Sequence, residues 1–206
     1  MHSAGKGIEL TMATNAEETR FEAQRHRILK AAASCFNEKG FSGTSLKDVS
    51  RHLGLTDAAL YYYVKNKEEL VYHCYLRAAE LGREAMDKAV RDGATGFEQA
   101  HLYIRYHIEI MVGADGPVAI MSEIPSLKRS HRNQILEVSR RHSAGFEEIL
   151  SRGIEDGSIL PCDVRMTGNA IMGSINWIPK WFHGKAAIGK EICREFPEIL
   201  TRGLKA

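Results

Sequence analysis

Residues 44–70, TSLKDVSRHLGLTDAALYYYVKNKEEL, carry two short apolar periods separated by a glycine. In the first, Leu46, Val49 and Leu53 stand at i, i+3 and i+7, which buries one face of a helix and leaves Lys47, Asp48 and Arg51 outside. Gly54 ends that helix and Leu55 plugs the turn. Thr56 or Asp57 then caps a short helix with Ala59, Leu60 and Val64 turned inward. Three consecutive tyrosines, Tyr61, Tyr62 and Tyr63, lie within it. Successive helix positions turn by about 100 degrees, so the three rings fan over about 200 degrees and cannot all enter one core. Two short helices joined by a glycine-containing turn fit the helix-turn-helix, whose second helix enters the DNA major groove, and fit any small helical bundle equally well. The outward-facing residues decide between the two.

Working outward from this stretch, helical periodicity continues in both directions. Upstream, in HRILKAAASCFNEKG, Ile28 or Leu29, Ala32, Cys35 and Phe36 share a face, Gly40 stands where a left-handed cap is expected, and Phe41 follows as its apolar partner. Downstream, Asn66 starts a helix with Glu69 placed to complete a capping box. That helix runs to about Val90, the next from Phe97 to about Val112, and a short piece covers Val118 to Ile124. A long helix from about Lys128 to Asp156, an apolar one up to Phe182 and a last one carrying Ile192, Phe196, Ile199 and Leu200 complete an all-α chain of about nine helices. The expected organisation is a flexible tail over residues 1–20, a helix-turn-helix unit over 21–67 and a helical body over 68–206.

Composition narrows the function classes. A chain of 206 residues with 44% apolar content can bury a sizeable core. No segment approaches the roughly 18 apolar residues of a membrane helix, so a soluble, cytoplasmic protein without membrane contact is expected. Cys35, Cys74, Cys162 and Cys193 are widely spaced and form no CxxC pair, which reads as reduced core thiols rather than a metal or disulfide framework. The net charge of +2 hides an asymmetry. From Arg20 to Lys67 there are nine basic residues against four acidic ones, whereas the remainder is slightly acidic. A basic head that meets a polyanion and a body that does not are implied. No HExxH, GxSxG, Walker loop or strand-linked GxGxxG is present and the histidines are scattered, so no catalytic site, cofactor or metal is expected.

The run ILKAAASCFNEKGFSGTSLKDVSRHLGLTDAALYYYVKNKEELVYHCY resembles the DNA-binding domain of the TetR family of bacterial transcriptional regulators. The likeness lies in the Gly-Phe after the first helix, the T-S-x-x-D-V-S-x-x-L-G core of the second and the tyrosine run with its following lysine. It implies that Tyr61 and Tyr62 lean on the DNA backbone or a thymine methyl and that Lys67 meets a phosphate, while Lys47, Thr56, Asp57 and Ala58 face the groove. Phenols suit such a role, because the ring packs on sugar and the hydroxyl donates to a phosphate oxygen. Lys47 suits guanine acceptors and Asp57 suits cytosine N4, although capping serves Thr56 and Asp57 as well. Ser45 and Thr44 would reach phosphate through hydroxyl or helix amino-terminal N–H groups. Tyr63 is expected to turn inward.

The resemblance also implies a homodimer that holds two such units about 34 Å apart on a pseudo-palindromic double-stranded DNA operator. Ile175, Ile178 and Trp181, with Ile192, Phe196 and Ile199, are candidates for a four-helix interface, or for the cover of each protomer's own core. Tyr103, His107, Met111, Met121, Phe146, Met172 and Trp177, with Asn169 and Asn176, fit the lining of an apolar effector cavity as they fit plain core. The carboxy-terminal W-x-x-x-W-F and its tail are similar to family members that control fatty-acid or steroid catabolism, which implies an acyl-CoA thioester as effector. Arg105, Lys128, Arg129 and Arg132 would then meet its phosphates. The expected output is repression relieved by the effector. A regulator acting as an activator, and a helical interaction protein without a small-molecule ligand, are the alternatives.

Overall fold

The computed structural model describes residues 5–113, 127–182 and 186–206, with side chains from Thr19 onward. It is built from α1 (Gly5–Gly43), α2 (Leu46–Leu53), α3 (Asp57–Tyr61), α4 (Lys67–Asp92), α5 (Gly96–Val112), α6 (Arg129–Glu155), α7 (Val164–Trp181) and α8 (Ala186–Thr201). The all-α expectation holds, with eight helices among the described residues. The ninth expected piece, and with it Met121, lies outside the described residues. The helical span of α1 takes in residues 5–20 of the stretch that the sequence pattern suggests is a tail. No helix among the described residues is long and apolar enough to cross a membrane.

Local chemistry sets the breaks. Gly40 adopts φ 71°, a value L side chains resist, and α1 kinks there so that Phe41 stacks on Phe36 with centroids 6.2 Å apart. Ser45 and Asp48 form a full capping box at the start of α2, so Asp48 is a cap partner rather than plain solvated charge. Gly54 closes α2 in the left-handed conformation. Thr56 caps α3, accepting from the Ala59 N–H at 3.2 Å. At α4, Asn66 accepts from Glu69 N–H, while the Glu69 carboxylate takes the N–H of Lys65, one position outside the expected box.

Two apolar cores follow. The first gathers Ile28, Ala32 and Phe36 of α1, Val49 of α2, Leu60 of α3 and Leu70 of α4, with Ile135 of α6 at its lower end. The second gathers Tyr103, Ile104 and Ile108 of α5, Phe146, Ile149 and Leu150 of α6, and Ile171, Ile175 and Ile178 of α7 with Ile192 of α8. The 26 residues of α4 pass from one core to the other, about 39 Å of helix at about 1.5 Å per residue. Cys35 and Cys74 are buried free thiols, whereas Cys162 and Cys193 are half-buried.

Candidate nucleic-acid interface and ligand cavity

The tyrosine fan resolves as helical geometry requires. Tyr61 is 55% exposed and Tyr62 75% exposed, while Tyr63 is half-buried with its ring stacked on Phe21 at 4.9 Å. Phe21 also meets the edge of Tyr62 at 6.0 Å, so α1 backs the tyrosines with a ring that sequence reasoning missed. A lone aromatic far upstream, outside any apolar period, gave no signal for that contact.

Around the fan, Ser45, Lys47, Thr56 and Ala58 are all exposed at the surface. Ser45, Lys47, Tyr61 and Lys67 line one concavity between the amino-terminal end of α2 and α3. Hydroxyls, a lysine at a helix start and outward phenols are groups that hydrogen-bond phosphates and base edges. Three expected contacts are otherwise engaged. Thr44 is 2% exposed, and its hydroxyl serves the carbonyls of Gly40 at 2.8 Å and Cys35 at 3.0 Å, which makes it a cap of α1 rather than a surface hydroxyl. Asp57 accepts from the Ser50 hydroxyl at 2.6 Å, a bond across the turn between α2 and α3. Lys67 donates to the Phe41 carbonyl at 2.8 Å with its ammonium 4.1 Å from the Phe41 ring centre, which leaves two N–H groups on the side of the concavity.

A second concavity lies where the two cores meet. Tyr75 and Ile135 from the first core and Met111 from the second line a cavity of about 130 Å³, together with Gly82 of α4 and Met172 and Asn176 of α7. His107 of α5 and His142 of α6 complete its polar wall. Gly82 admits those rings, since a Cβ there would stand 2.9 Å from His142 Cε1. Tyr103 is fully buried beneath them, bonding His107 Nδ1 at 2.9 Å and His142 Nε2 through its hydroxyl. His142 and Tyr75 are the functional candidates that sequence reading missed. His142 lies in the polar run RRHSAG, and its partner stands 39 residues away.

Of the expected lining, His107, Met111, Met172 and Asn176 reach the cavity. Phe146 is core behind Tyr103, with ring centres 4.9 Å apart. Asn169 is exposed and Trp177 is 63% exposed, because the side of α7 that carries them turns away from the protomer. The expected phosphate-binding cations do not gather here either. Arg105 is exposed and paired with Glu109 at 3.0 Å, Lys128 turns toward Glu68, Arg129 is exposed, and Arg132 does not line the cavity. Glu68 also accepts from the Lys128 N–H and pairs with His131 at 2.8 Å, while Tyr72 stacks on His131 at 3.8 Å. These contacts tie the start of α6 to the start of α4.

The candidate interface splits as well. Ile175, Ile178 and Ile192 are buried in the protomer's own core. Trp181, 40% exposed, packs on half-buried Phe196 at 5.8 Å, and with Trp177 and Ile199, 57% exposed, it forms an outward apolar face on α7 and α8.

Comparison with known proteins agrees with the all-α architecture. A family model described as bacterial regulatory proteins, tetR family, matches residues 28–74, and one described as tetracyclin repressor-like, C-terminal domain, matches residues 93–204. The chain is 27% identical over 154 residues to the fatty acid metabolism regulator protein of Bacillus subtilis, covering 73% of this chain and 78% of that one. It is 31% identical over 111 residues to the biofilm operon negative transcriptional regulator IcaR of Staphylococcus epidermidis, covering 48% and 58%. The crystal structure of PfmR, a TetR family transcriptional regulator from Thermus thermophilus, superimposes with a TM-score of 0.75 at 31% identity, over 87% of this chain and 100% of that one.

Proposed function

The chain belongs to the TetR family of bacterial regulatory proteins, and from that premise we propose that it is a homodimeric repressor released from a pseudo-palindromic operator by a small apolar effector. Residues 21–67 form the DNA-binding unit and 68–206 the sensing and dimerising body. Ser45, Lys47, Thr56, Ala58, Tyr61, Tyr62 and Lys67 are the DNA-facing set. Base reading falls to Lys47, Thr56 and Ala58, while Asp57 holds the two helices together.

One observation carries the ligand-responsive part of the reading. The cavity takes side chains from both cores, and α4 lines it with Tyr75 and Gly82 while its first turn joins the DNA-binding unit through Leu70 and Lys67. A ligand that changes how α4 packs against α5 and α6 therefore has a rigid route to the head. For a shift of equilibrium, that ligand must bind the two arrangements with different affinity. The relative named for fatty acid metabolism supports an acyl derivative as effector, with its acyl end inside the cavity. The relative named a negative regulator supports repression.

The test is binding of the purified protein to the DNA upstream of its own gene, followed by fluorescence anisotropy. Small molecules retained by the protein, identified by mass spectrometry, are then added back. The reading requires tight, salt-dependent binding that the retained molecule abolishes. Binding that no retained molecule affects, or an absence of binding to any upstream DNA, would overturn it.

A further inference from the structure

The polar wall of the cavity has a fixed hydrogen-bonding logic. Tyr103 has one hydroxyl proton, and its oxygen bridges His107 Nδ1 and His142 Nε2. Met172 Sδ stands 3.5 Å away, but a thioether is a weak acceptor beside an imidazole nitrogen. The proton therefore goes to one ring, and the hydroxyl oxygen accepts an N–H from the other. In a neutral imidazole one nitrogen donates and the other accepts. The ring that accepts from Tyr103 must carry its proton on the far nitrogen, and the ring that donates must leave its far nitrogen bare. Neither far nitrogen, His107 Nε2 or His142 Nδ1, has a partner among the described residues. The pair thus offers one donor and one acceptor.

The rest of the lining carries no charge. Tyr75, Ser139, Ser143 and Asn176 bring its other polar groups, all neutral, set among Ala78, Ile135 and Met111. The stretch 114–126, outside the described residues, contains no lysine or arginine in its sequence. Burial, with the neighbouring His142 ring, pushes His107 down to about 3, and burial lowers His142 too, so both rings are neutral near pH 7. A carboxylate in this setting would lose its hydration without a cation to replace it, at a cost of several kcal/mol. A cavity of about 130 Å³ is close to the roughly 150 Å³ that accepts benzene in an apolar core.

We propose that Tyr103, His107 and His142 form the reader of the ligand's polar end, taking an uncharged group that pairs a hydrogen-bond acceptor with a donor on a short apolar chain and rejecting carboxylates. This rests on the cavity being the effector site. The network couples the tautomers of the two rings, so that one far nitrogen donates when the other accepts, and selectivity lies in Tyr103, which the ligand need not touch.

Three probes of one shape separate the requirements: isovaleramide has acceptor and donor, methyl isovalerate has the acceptor alone, and isovalerate carries the charge. Ligand-observed NMR titration of the full chain at pH 7 should rank the amide first, about tenfold tighter than the ester and further above the acid. Tyr103→Phe frees each ring to take either tautomer and should narrow the amide's preference over the ester. The wild-type ratio stands without any variant, so a Tyr103→Phe chain that fails to fold removes nothing from the test. Isovalerate binding as well as the amide, amide and ester binding alike, or no binding of any probe would overturn the proposal. Operator binding by the same sample, measured by anisotropy, separates the two failures. A protein that holds its DNA but shows no amide preference sinks this inference alone, and one that binds no DNA sinks the regulator reading.

Discussion

The Ser50 hydroxyl on α2 donates to Asp57 Oδ1, at the start of α3, across the turn that Gly54 makes possible. Ser50 is buried and Asp57 is half-buried, so the bond is shielded and fixes the angle between the two helices. A hydrogen bond to a charged group contributes roughly 1.5–3 kcal/mol. Ser50→Ala should lower stability by about that much in urea unfolding and weaken operator binding without changing preference at any base pair. In a double-mutant cycle, Ser50→Ala and Asp57→Ala should couple by at least about 0.5 kcal/mol. Additive effects would return Asp57 to base reading.

Lys47 and Lys67 should fail differently. Lys47 lies in the first turn of α2 with no side-chain partner among the described residues, so Lys47→Ala should leave stability unchanged and relax preference at one base pair by about 1–3 kcal/mol. Lys67 holds the Phe41 carbonyl and covers its ring, so Lys67→Ala should lower Tm. It should also weaken binding to every sequence and reduce the salt slope by about one. A lowered Tm with an unchanged salt slope would assign Lys67 to the cap of α1 alone.

The fold was legible wherever period and punctuation coincide, as at Leu46, Val49 and Leu53 before Gly54, or at Phe36 and Phe41 around Gly40. The outward tyrosines were legible from geometry, because three adjacent rings cannot share one face. Thr44 was not, since a hydroxyl before a helix serves an upstream carbonyl or a phosphate with the same spacing. On α7 the apolar residues run around most of the circumference, so nothing in the sequence says that Ile175 and Ile178 enter the core while Trp177 leaves it. His142 was hidden for a further reason: a histidine in a charged stretch looks solvated until the fold brings Tyr103 and Gly82 against it.

Acid should destabilise the protein before its carboxylates titrate. Burial holds His107 down to about 3, below the ordinary value of 6.5 that it regains on unfolding. Between those values the unfolded chain binds the extra proton, so this contribution is fully present above about pH 6.5 and is lost as pH falls toward 3. The expected slope is roughly 1.4 kcal/mol per pH unit for such a group, with His142, also lowered by burial, adding to it. Asp48 and Asp156, held below the carboxylate range chiefly by the Ser45 and Ser158 hydroxyls, enter only at lower pH. Urea unfolding at pH 7 and pH 5 measures the slope, and His107→Gln should flatten it. An equal slope in the variant would place the acid sensitivity elsewhere.

The outward face of α7 and α8 makes the assembly testable with two neighbouring substitutions of opposite character. Trp177 and Trp181 are large apolar side chains left in solvent by the protomer, and such a patch marks an interaction surface. A two-fold contact would bury it against its own copy. Trp177→Glu should convert a dimer to a monomer in sedimentation velocity while the far-ultraviolet helical signal is retained. It should also weaken operator binding sharply, because a lone unit reads half a site. Ile175, two positions earlier but fully buried, should behave in the reverse way. Ile175→Ala should cost about 2–5 kcal/mol of stability and leave the sedimentation coefficient of the folded fraction unchanged. A Trp177→Glu protein that sediments as the wild type would move the interface off this face.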